Sequence, residues 1–404
     1  MVVIKVAPVL YRLFAFFVLL IAVTPMSNRF VQFAGYNLSY SDLLMVFLLL
    51  LTIPLLWKTN IQNKQVKRSY KLLLFILAYA CFSTLWADYD VHGRYIFYQV
   101  ALAFLTVTIP YLVSKITKDK HIDYHKMITN FSVVLSVILV IYMFQMDGKR
   151  LDGLIGGAAI IHMAIVPCFA VFLYNLAKGK KVITSIVFLV VTFLAVMFTA
   201  SRAALITLIL LVIVFTLQKL TIKKLLSIIV IAIAGIFMVV GYWQDSRYAE
   251  MGFGDDSRSI NTQTSIQLSL NSPATFFFGN GYGDIWSWYS IQQGIKPGNW
   301  VDPNLLATEK GYVMFHAHST FNNLIAELGL VGTIPFILFL LILLKEFVSS
   351  LKRKDELVSV ILGALICTIP TMHTDLFLFR NWEVSLIWFF FFFTALTYSN
   401  KSIQ

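Results

Sequence analysis

The segment Thr320–Leu344 reads TFNNLIAELGLVGTIPFILFLLILL and decides the fold class of this chain. A helix needs about 20 mostly apolar residues to cross the hydrocarbon core of a bilayer, and this segment is long enough. Because lipid offers the backbone no hydrogen bonds, a chain in that core must be helical or part of a closed barrel. The segment therefore predicts a transmembrane helix.

The composition of the whole chain supports the same class of protein. Of the 404 residues, 59% are hydrophobic and 13% are charged, and the mean hydropathy is +0.79. Soluble domains carry about 25% charged residues. We therefore predict an all-α polytopic membrane protein. The apolar runs indicate twelve transmembrane helices, at 8–24, 41–57, 72–87, 95–114, 127–146, 156–177, 182–198, 203–217, 225–242, 320–344, 357–377 and 384–398.

The distribution of basic residues predicts the orientation of these helices. Lys and Arg are retained on the cytoplasmic side of short loops. With the N-terminus inside, roughly two thirds of the 32 Lys and Arg residues fall in inner segments. Both termini are therefore expected in the cytoplasm. The net charge of +12 reflects this topology, and it favours contact with anionic membrane lipids rather than with nucleic acid.

The predicted helices divide the chain into three parts. Residues 1–242 hold the first nine helices, 243–318 form a long outer loop, and 319–404 hold the last three helices. A loop of that length without disorder-type composition is usually functional. In the last helix, the run Phe389–Phe393 is expected to face lipid.

Several features are expected within the outer loop. Asn261–Leu270 is a candidate surface helix that Asn271–Pro273 would end, and Phe276–Phe278 is expected to dip into the membrane interface. The run Gly279–Gly283 lacks the preceding strand and the following Lys-Ser/Thr of a phosphate-binding loop, so we expect a turn there. Trp286 is expected either to stack on a sugar or to be one of the aromatic residues common at any membrane interface.

Two histidines, His316 and His318, lie where the outer loop enters the helix that begins near residue 320. Imidazole titrates near neutrality and can accept a proton from a substrate, and the bilayer edge can hold a lipid-linked substrate against it. One of the two is therefore predicted to be a reactive base. A metal site is the alternative, although no H-E-x-x-H spacing accompanies the pair.

Three arginines on the outer side are candidates for anion binding. Arg202 lies at the outer join of two helices, where it either contacts an anion or reaches the lipid headgroups. Arg258 follows Asp255 and Asp256, so a local ion pair is its alternative role. Arg150 lies in another outer loop. Guanidinium groups form bidentate hydrogen bonds with phosphate, so together the three can hold a diphosphate.

Three further ionisable residues occupy apolar segments. Glu327 lies nine residues into the helix that follows the outer loop, where an unpaired carboxylate would be unfavourable. It is expected either to bond a neighbouring helix or to support the site. His162 and His373 are expected to be packing or hydrogen-bonding residues.

The outer motifs follow a recognisable order along the chain. Ser201-Arg202-Ala203-Ala204 at a short turn comes first, then Arg258, then Phe278–Gly283, and then His316-Ala317-His318-Ser319 with Glu327–Gly332. This order, with one large outer loop late in the chain, resembles the O-antigen ligase and polymerase superfamily. Arg150-Leu151-Asp152-Gly153 also resembles an Arg-x-x-Gly motif of that superfamily.

The resemblance implies a glycosyltransferase of the bacterial inner membrane that works on the periplasmic face without a metal ion or another cofactor. Its donor would be a glycan on undecaprenyl diphosphate. By the same resemblance His318 would deprotonate the acceptor hydroxyl, and Arg202 and Arg258 would hold the diphosphate with help from Arg150. His316 and Glu327 would be supporting residues. Serine at position 319 replaces the asparagine that commonly follows the family histidine.

The acceptor separates the candidate functions. A ligase uses lipid A-core as the acceptor, whereas an O-antigen or exopolysaccharide polymerase uses another lipid-linked glycan. We take the O-antigen ligase as the leading hypothesis and the polymerase as the alternative. A polysaccharide transporter is a distant third, because transporters place polar residues and Gly/Pro breaks at the membrane midplane in two related halves, and no halves repeat here.

Overall fold

The computed structural model describes most of the chain. The described residues are 11–16, 30–33, 36–53, 63–87, 93–115, 123–145, 151, 160–217, 256–286, 306–308, 311–313, 317–373 and 381–399. The predicted helix at 225–242 and most of the one at 8–24 lie outside these residues.

The architecture is helical. Residues 11–16 are helical, and the other described helices are α1 (Tyr40–Thr52), α2 (Lys64–Ser83), α3 (Gly93–Ser114), α4 (Tyr124–Phe144), α5 (His162–Ala177), α6 (Val182–Phe198), α7 (Arg202–Leu217), α8 (Asp256–Ser269), α9 (Pro273–Phe278), α10 (Thr320–Lys352), α11 (Glu356–Cys367) and α12 (Trp382–Ser399). A 3₁₀ turn at Pro370–His373 follows α11. Two short antiparallel strand pairs accompany them, β1 (Phe30–Phe33) with β2 (Tyr36–Ser39) and β3 (Leu306–Thr308) with β4 (Gly311–Val313).

Several helix ends depart from the predicted apolar runs: α10 ends at Lys352 rather than at 344, α11 ends at Cys367 rather than at 377, and α2 begins earlier than predicted. Hydropathy predicts a start near residue 72 for α2, but the helix begins at Lys64. The side-chain oxygen of Asn63 accepts hydrogen bonds from the backbone N–H groups of Gln65 and Val66. Such a cap satisfies N–H groups that the first helical turn leaves without an intrahelical partner, so the polar turns before the apolar run are also helical.

Four helical segments are long and apolar enough to cross a membrane, namely Tyr124–Phe144, Thr320–Lys352, Glu356–His373 and Trp382–Ser399. Shorter apolar helices accompany them at Gln99–Ser114, His162–Ala177, Val182–Phe198 and Ala203–Phe215. The fold is therefore that of a helical membrane protein. The number of helices that cross the bilayer stays a prediction.

Helix α12 lies in the centre of the bundle, in contact with α2, α3, α5 and α11. All five side chains of Phe389–Phe393 are fully buried, so the prediction that they face lipid is wrong. Phe390 lies 4.8 Å from Phe14 and 4.3 Å from Phe131 between ring centroids. The error has a physical cause: in a membrane protein the lipid-facing and the protein-facing surfaces are both apolar, so hydropathy does not distinguish them.

At one end of the bundle, segments that the distribution of Lys and Arg assigned to the inner side contact each other. The ammonium group of Lys178, after α5, forms an ion pair with the carboxylate of Glu356, at the start of α11. The side-chain amide of Asn63, before α2, donates a 2.7 Å hydrogen bond to the carbonyl of Leu396, near the end of α12. These predicted inner segments therefore share one end. Whether that end faces the cytoplasm stays a prediction.

Helix α10 is interrupted at Gly329, which has φ 56° and ψ −158°. At 1.5 Å per residue, an unbroken 33-residue helix would be about 50 Å long, well beyond the hydrocarbon thickness of about 30 Å. The part after Gly329 spans about 34 Å and fits a bilayer. The nine residues from Thr320 to Leu328 form a separate entry helix with its own contacts.

Candidate active site

The three residues predicted to do chemistry all lie where a helix begins. Arg202 is the first residue of α7, and Arg258 lies in the first turn of α8. His318 precedes α10 by two residues, with Ser319 as the N-cap. For Arg202 and Arg258, the placement refers to the backbone. Arg150 and His316 lie outside the described residues.

Arg202 and His318 lie at the same end of the bundle. The Lys178–Glu356 ion pair places the end of α5 beside the start of α11, close to where α10 finishes. Helix α6 starts directly after Lys181 and packs along α5 in the opposite direction. The turn between α6 and α7 is therefore at the far end from this ion pair, which is the end where α10 begins.

The turn before Arg202 is fixed by local hydrogen bonds. Ala200 has a positive φ of 50°, and Ser201 accepts a 3.4 Å hydrogen bond at its Oγ from the N–H of Ala204. The backbone N–H of Leu151 donates a 2.7 Å hydrogen bond to the carbonyl of Phe198, and Leu151 is fully buried. The structure thus brings the residue that follows Arg150 to the turn that leads into Arg202.

The entry to α10 has the same local pattern. His318 has a positive φ of 48°, a left-handed conformation that costs a non-glycine residue about 1–2 kcal/mol. The Oγ of Ser319 accepts a 3.1 Å hydrogen bond from the N–H of Asn322. His318 is half-buried. Such strain persists only where neighbouring contacts hold it, and it is concentrated at functional sites.

A side-chain hydrogen bond joins the helix that carries Arg258 to the entry of α10. The amide Nδ2 of Asn322 donates to the Oγ1 of Thr262 over 2.9 Å. Thr262 lies one helical turn after Arg258, and Asn322 lies one turn after the N-cap region that holds His318. The middle of α8 therefore lies beside the start of α10.

Glu327 connects the entry helix to the end of the loop that follows α9, the Gly-rich loop at residues 279–286. Its Oε1 accepts a 3.0 Å hydrogen bond from the backbone N–H of Trp286, and its Oε2 accepts a 2.6 Å hydrogen bond from the Nδ2 of Asn323. The carboxylate is fully buried. These contacts hold the carboxylate between the loop and its own helix, and the expected role of Glu327 in supporting the site stays a prediction.

The Gly-rich loop is a turn, as predicted. Six of its backbone N–H groups donate to acceptors within the protein, those of residues 279, 280, 281, 282, 284 and 286. Asn280 and Gly281 donate to the carbonyls of Ala326 and Glu327, on the entry helix. Tyr282 donates to the Oγ of Ser83, at the end of α2. These N–H groups are engaged in fixing the loop between two helices, which differs from a phosphate cradle, where they point at the ligand.

The side chain of Trp286 is fully buried and packs with Ile285, Ala317 and Ala326. It therefore does not offer a face to a sugar, which corrects one of its two expected roles. Ala317 precedes His318, so this small apolar cluster supports the backbone next to the histidine. Its position was not predictable from composition, because interfacial and buried tryptophans have the same sequence context.

Polar residues in the first turns of α10 were missed by the sequence analysis. Asn322 and Asn323 point to different neighbours, the first to α8 and the second to Glu327. The available signal was the four-residue spacing of Asn323 and Glu327, which places both on one helix face. Thr262 carried no comparable signal.

The other predicted features are placed as follows. The surface helix expected at Asn261–Leu270 is α8, which begins earlier, and Ser272 starts α9 with a capping box. Phe277 and Phe278 are about half exposed. His162 is buried and His373 is exposed. Within the described part of the chain, no three His, Cys, Asp or Glu side chains lie close enough together to hold a metal ion.

The fold and the apolar helices define a helical membrane protein with a polar, hydrogen-bonded cluster at one end of the bundle. Comparison of the sequence with protein-family models and with curated protein sequences finds no match to either.

Proposed function

We propose that the protein is an O-antigen ligase, an integral-membrane glycosyltransferase with twelve transmembrane helices in the bacterial inner membrane. It would transfer a glycan from undecaprenyl diphosphate to lipid A-core at the periplasmic face. The observation that carries this proposal is that the starts of α7 and α10 lie at one end of the bundle, where α8 packs against the start of α10. The starts of α7, α8 and α10 carry Arg202, Arg258 and His318, and the last two helices are joined by the Asn322–Thr262 hydrogen bond.

The reaction needs one base and one group that stabilises a departing anion. The imidazole of His318 accepts the proton of an acceptor hydroxyl while that oxygen bonds to the anomeric carbon of the donor sugar. The bond between the anomeric carbon and the diphosphate oxygen breaks, and its electron pair leaves with undecaprenyl diphosphate. A sugar diphosphate is already activated, so positioning and charge stabilisation supply most of the catalysis.

Guanidinium groups and helix dipoles can both stabilise the negative charge of the departing diphosphate. The guanidinium groups of Arg202 and Arg258 can each make bidentate hydrogen bonds to phosphate oxygens. Both residues also lie in the first turn of a helix, where aligned peptide dipoles favour an anion. Together they would neutralise the diphosphate without a metal ion.

The experiment uses the purified protein in lipid nanodiscs with an undecaprenyl-diphosphate-linked glycan and lipid A-core. Transfer to lipid A-core is expected for the wild type. His318→Ala should lower the rate by at least about 100-fold, the range that general-base catalysis contributes. Arg202→Ala and Arg258→Ala should lower it strongly as well. His373→Ala is the matched control, because His373 is exposed and lies in the 3₁₀ turn that contacts α7 and α10.

The folded state of each variant is checked by its elution profile and thermal unfolding midpoint. Full activity of a folded His318→Ala variant would remove the proposed base. Transfer to a second lipid-linked glycan, with lipid A-core left unmodified, would instead identify a polymerase.

A further inference from the structure

The hydrogen bond between Asn322 and Thr262 lies between the two helices that carry the proposed base and one proposed diphosphate-binding arginine. Its length is 2.9 Å, and Asn322 is almost fully buried. Position 258 lies four residues before Thr262, and His318 lies four residues before Asn322. The bond thus occurs one helical turn beyond each of the two proposed site residues.

Asn322 is held in place from its own helix. Its backbone N–H donates to the Oγ of the N-cap Ser319 over 3.1 Å. The next residue, Asn323, donates its backbone N–H to the carbonyl of Ser319 and its side-chain amide to Glu327. The entry helix is therefore tied to α8 by Asn322 and, through Asn323 and Glu327, to the Gly-rich loop.

Helix α8 is polar, and several of its side chains hydrogen-bond within the helix. The Oγ of Ser265 donates to the carbonyl of Asn261, the Oγ of Ser269 donates to the carbonyl of Ser265, and the Nε2 of Gln263 donates to the Oγ of Ser259. These bonds stay within the helix and do not attach it to a neighbour. The hydrogen bond that Thr262 accepts differs, because its donor, Asn322, lies on α10.

We infer that the Asn322–Thr262 hydrogen bond is a positioning contact that sets the separation between His318 and position 258. This inference rests on the proposed function. The base must reach the acceptor hydroxyl at the moment when the arginine holds the diphosphate, so both helix starts must keep one relative placement. A displacement of about 1 Å in such an arrangement lowers a rate about 100-fold.

The test is a double-mutant cycle on glycan transfer. Thr262→Val keeps the shape of the side chain and removes the hydroxyl, and Asn322→Leu removes the amide. Each is expected to lower kcat by about 10- to 100-fold with little change in the KM for the lipid-linked donor. Because both variants remove the same contact, the double variant should be no slower than the slower single variant.

Two conservative variants and one control variant separate a loss of positioning from a general loss of folding or stability. Thr262→Ser keeps the hydroxyl and should keep the wild-type kcat. Asn322→Asp should retain part of the activity, because the hydroxyl of Thr262 can donate to a carboxylate. Gln263→Ala is the control on the same helix, since Gln263 is exposed and its side chain donates to Ser259 of that helix; it should be fully active.

Hydrogen–deuterium exchange of the 256–269 backbone provides a second measurement. Exchange should be faster in Thr262→Val than in the wild type, Thr262→Ser or Gln263→Ala. Wild-type kcat in Thr262→Val would overturn the inference, whatever the exchange shows. Multiplicative losses in the double variant would overturn it too, because they would show two independent effects. An inactive wild type would instead overturn the proposed function, and the positioning role with it.

Discussion

Gly279 and Gly329 pack backbone against backbone, and this contact fits the Gly-rich loop into the break in α10. A Cβ atom on Gly329 would lie 2.5 Å from the nitrogen of Gly279, and one on Gly279 would lie 2.6 Å from the nitrogen of Gly329. Both residues also have a positive φ, 76° for Gly279 and 56° for Gly329. Two separate constraints, space and backbone conformation, therefore require glycine at each position.

Gly279→Ala and Gly329→Ala are each expected to destabilise the protein by about 2–5 kcal/mol, combining about 1–2 kcal/mol of backbone strain with overpacking of about 1–3 kcal/mol. Gly179→Ala is the matched control: Gly179 has a φ of 66°, but a Cβ atom there would meet no described atom within 4 Å. The Gly179→Ala variant should therefore be destabilised by the backbone strain alone. The measurement is the thermal unfolding midpoint in detergent, and equal shifts in all three variants would contradict the close contact.

Glu327→Ala is expected to destabilise the protein by at least about 2 kcal/mol, because it leaves the buried N–H of Trp286 and the amide of Asn323 without their acceptor. Glu356→Ala is the control. Glu356 is exposed and pairs with Lys178, and a surface ion pair contributes about 0–1 kcal/mol. Denaturant or thermal unfolding compares the two, and an equal effect would mean that the Glu327 contacts stabilise no more than a surface pair.

The two ends of the bundle are expected to lie on opposite sides of the membrane, and cysteine labelling measures this. In a background in which Cys81, Cys168 and Cys367 are replaced by Ala, Ser259→Cys should react with a membrane-impermeant maleimide in intact spheroplasts. Lys180→Cys, at the end that holds the Lys178–Glu356 pair, should react only after permeabilisation. Both parent residues are exposed, so access to solvent is matched. Labelling of both sites from one side would contradict the predicted topology.

The positions of most helices followed from the sequence because the membrane leaves the backbone few choices. The predicted run 182–198 corresponds to α6, and 203–217 differs from α7 by one residue. Larger differences arose at the start of α2, which Asn63 caps, and at the ends of α10 and α11. Hydropathy averages over a window and does not register a single cap.

The candidate site was only partly predictable. The titration range of imidazole at the entry to α10 predicted a base at His316 or His318, and the resemblance to the superfamily selected His318. The hydrogen bond between Asn322 and Thr262 joins residues 60 positions apart, and no periodicity within either helix indicates such a pairing. The same limit applied to Glu327, whose sequence context allowed a structural or a chemical role equally.

The sequence by itself determined the class of protein, the approximate extent of its helices and the residue types suited to phosphate binding and proton transfer. These depend on composition and on local spacing, which the chain carries along its length. Only the tertiary structure decided that Phe389–Phe393 is core, that the Gly-rich loop is a structural turn and that Glu327 holds it. The reason is that each of these outcomes depends on which distant backbone or side chain occupies the neighbouring space.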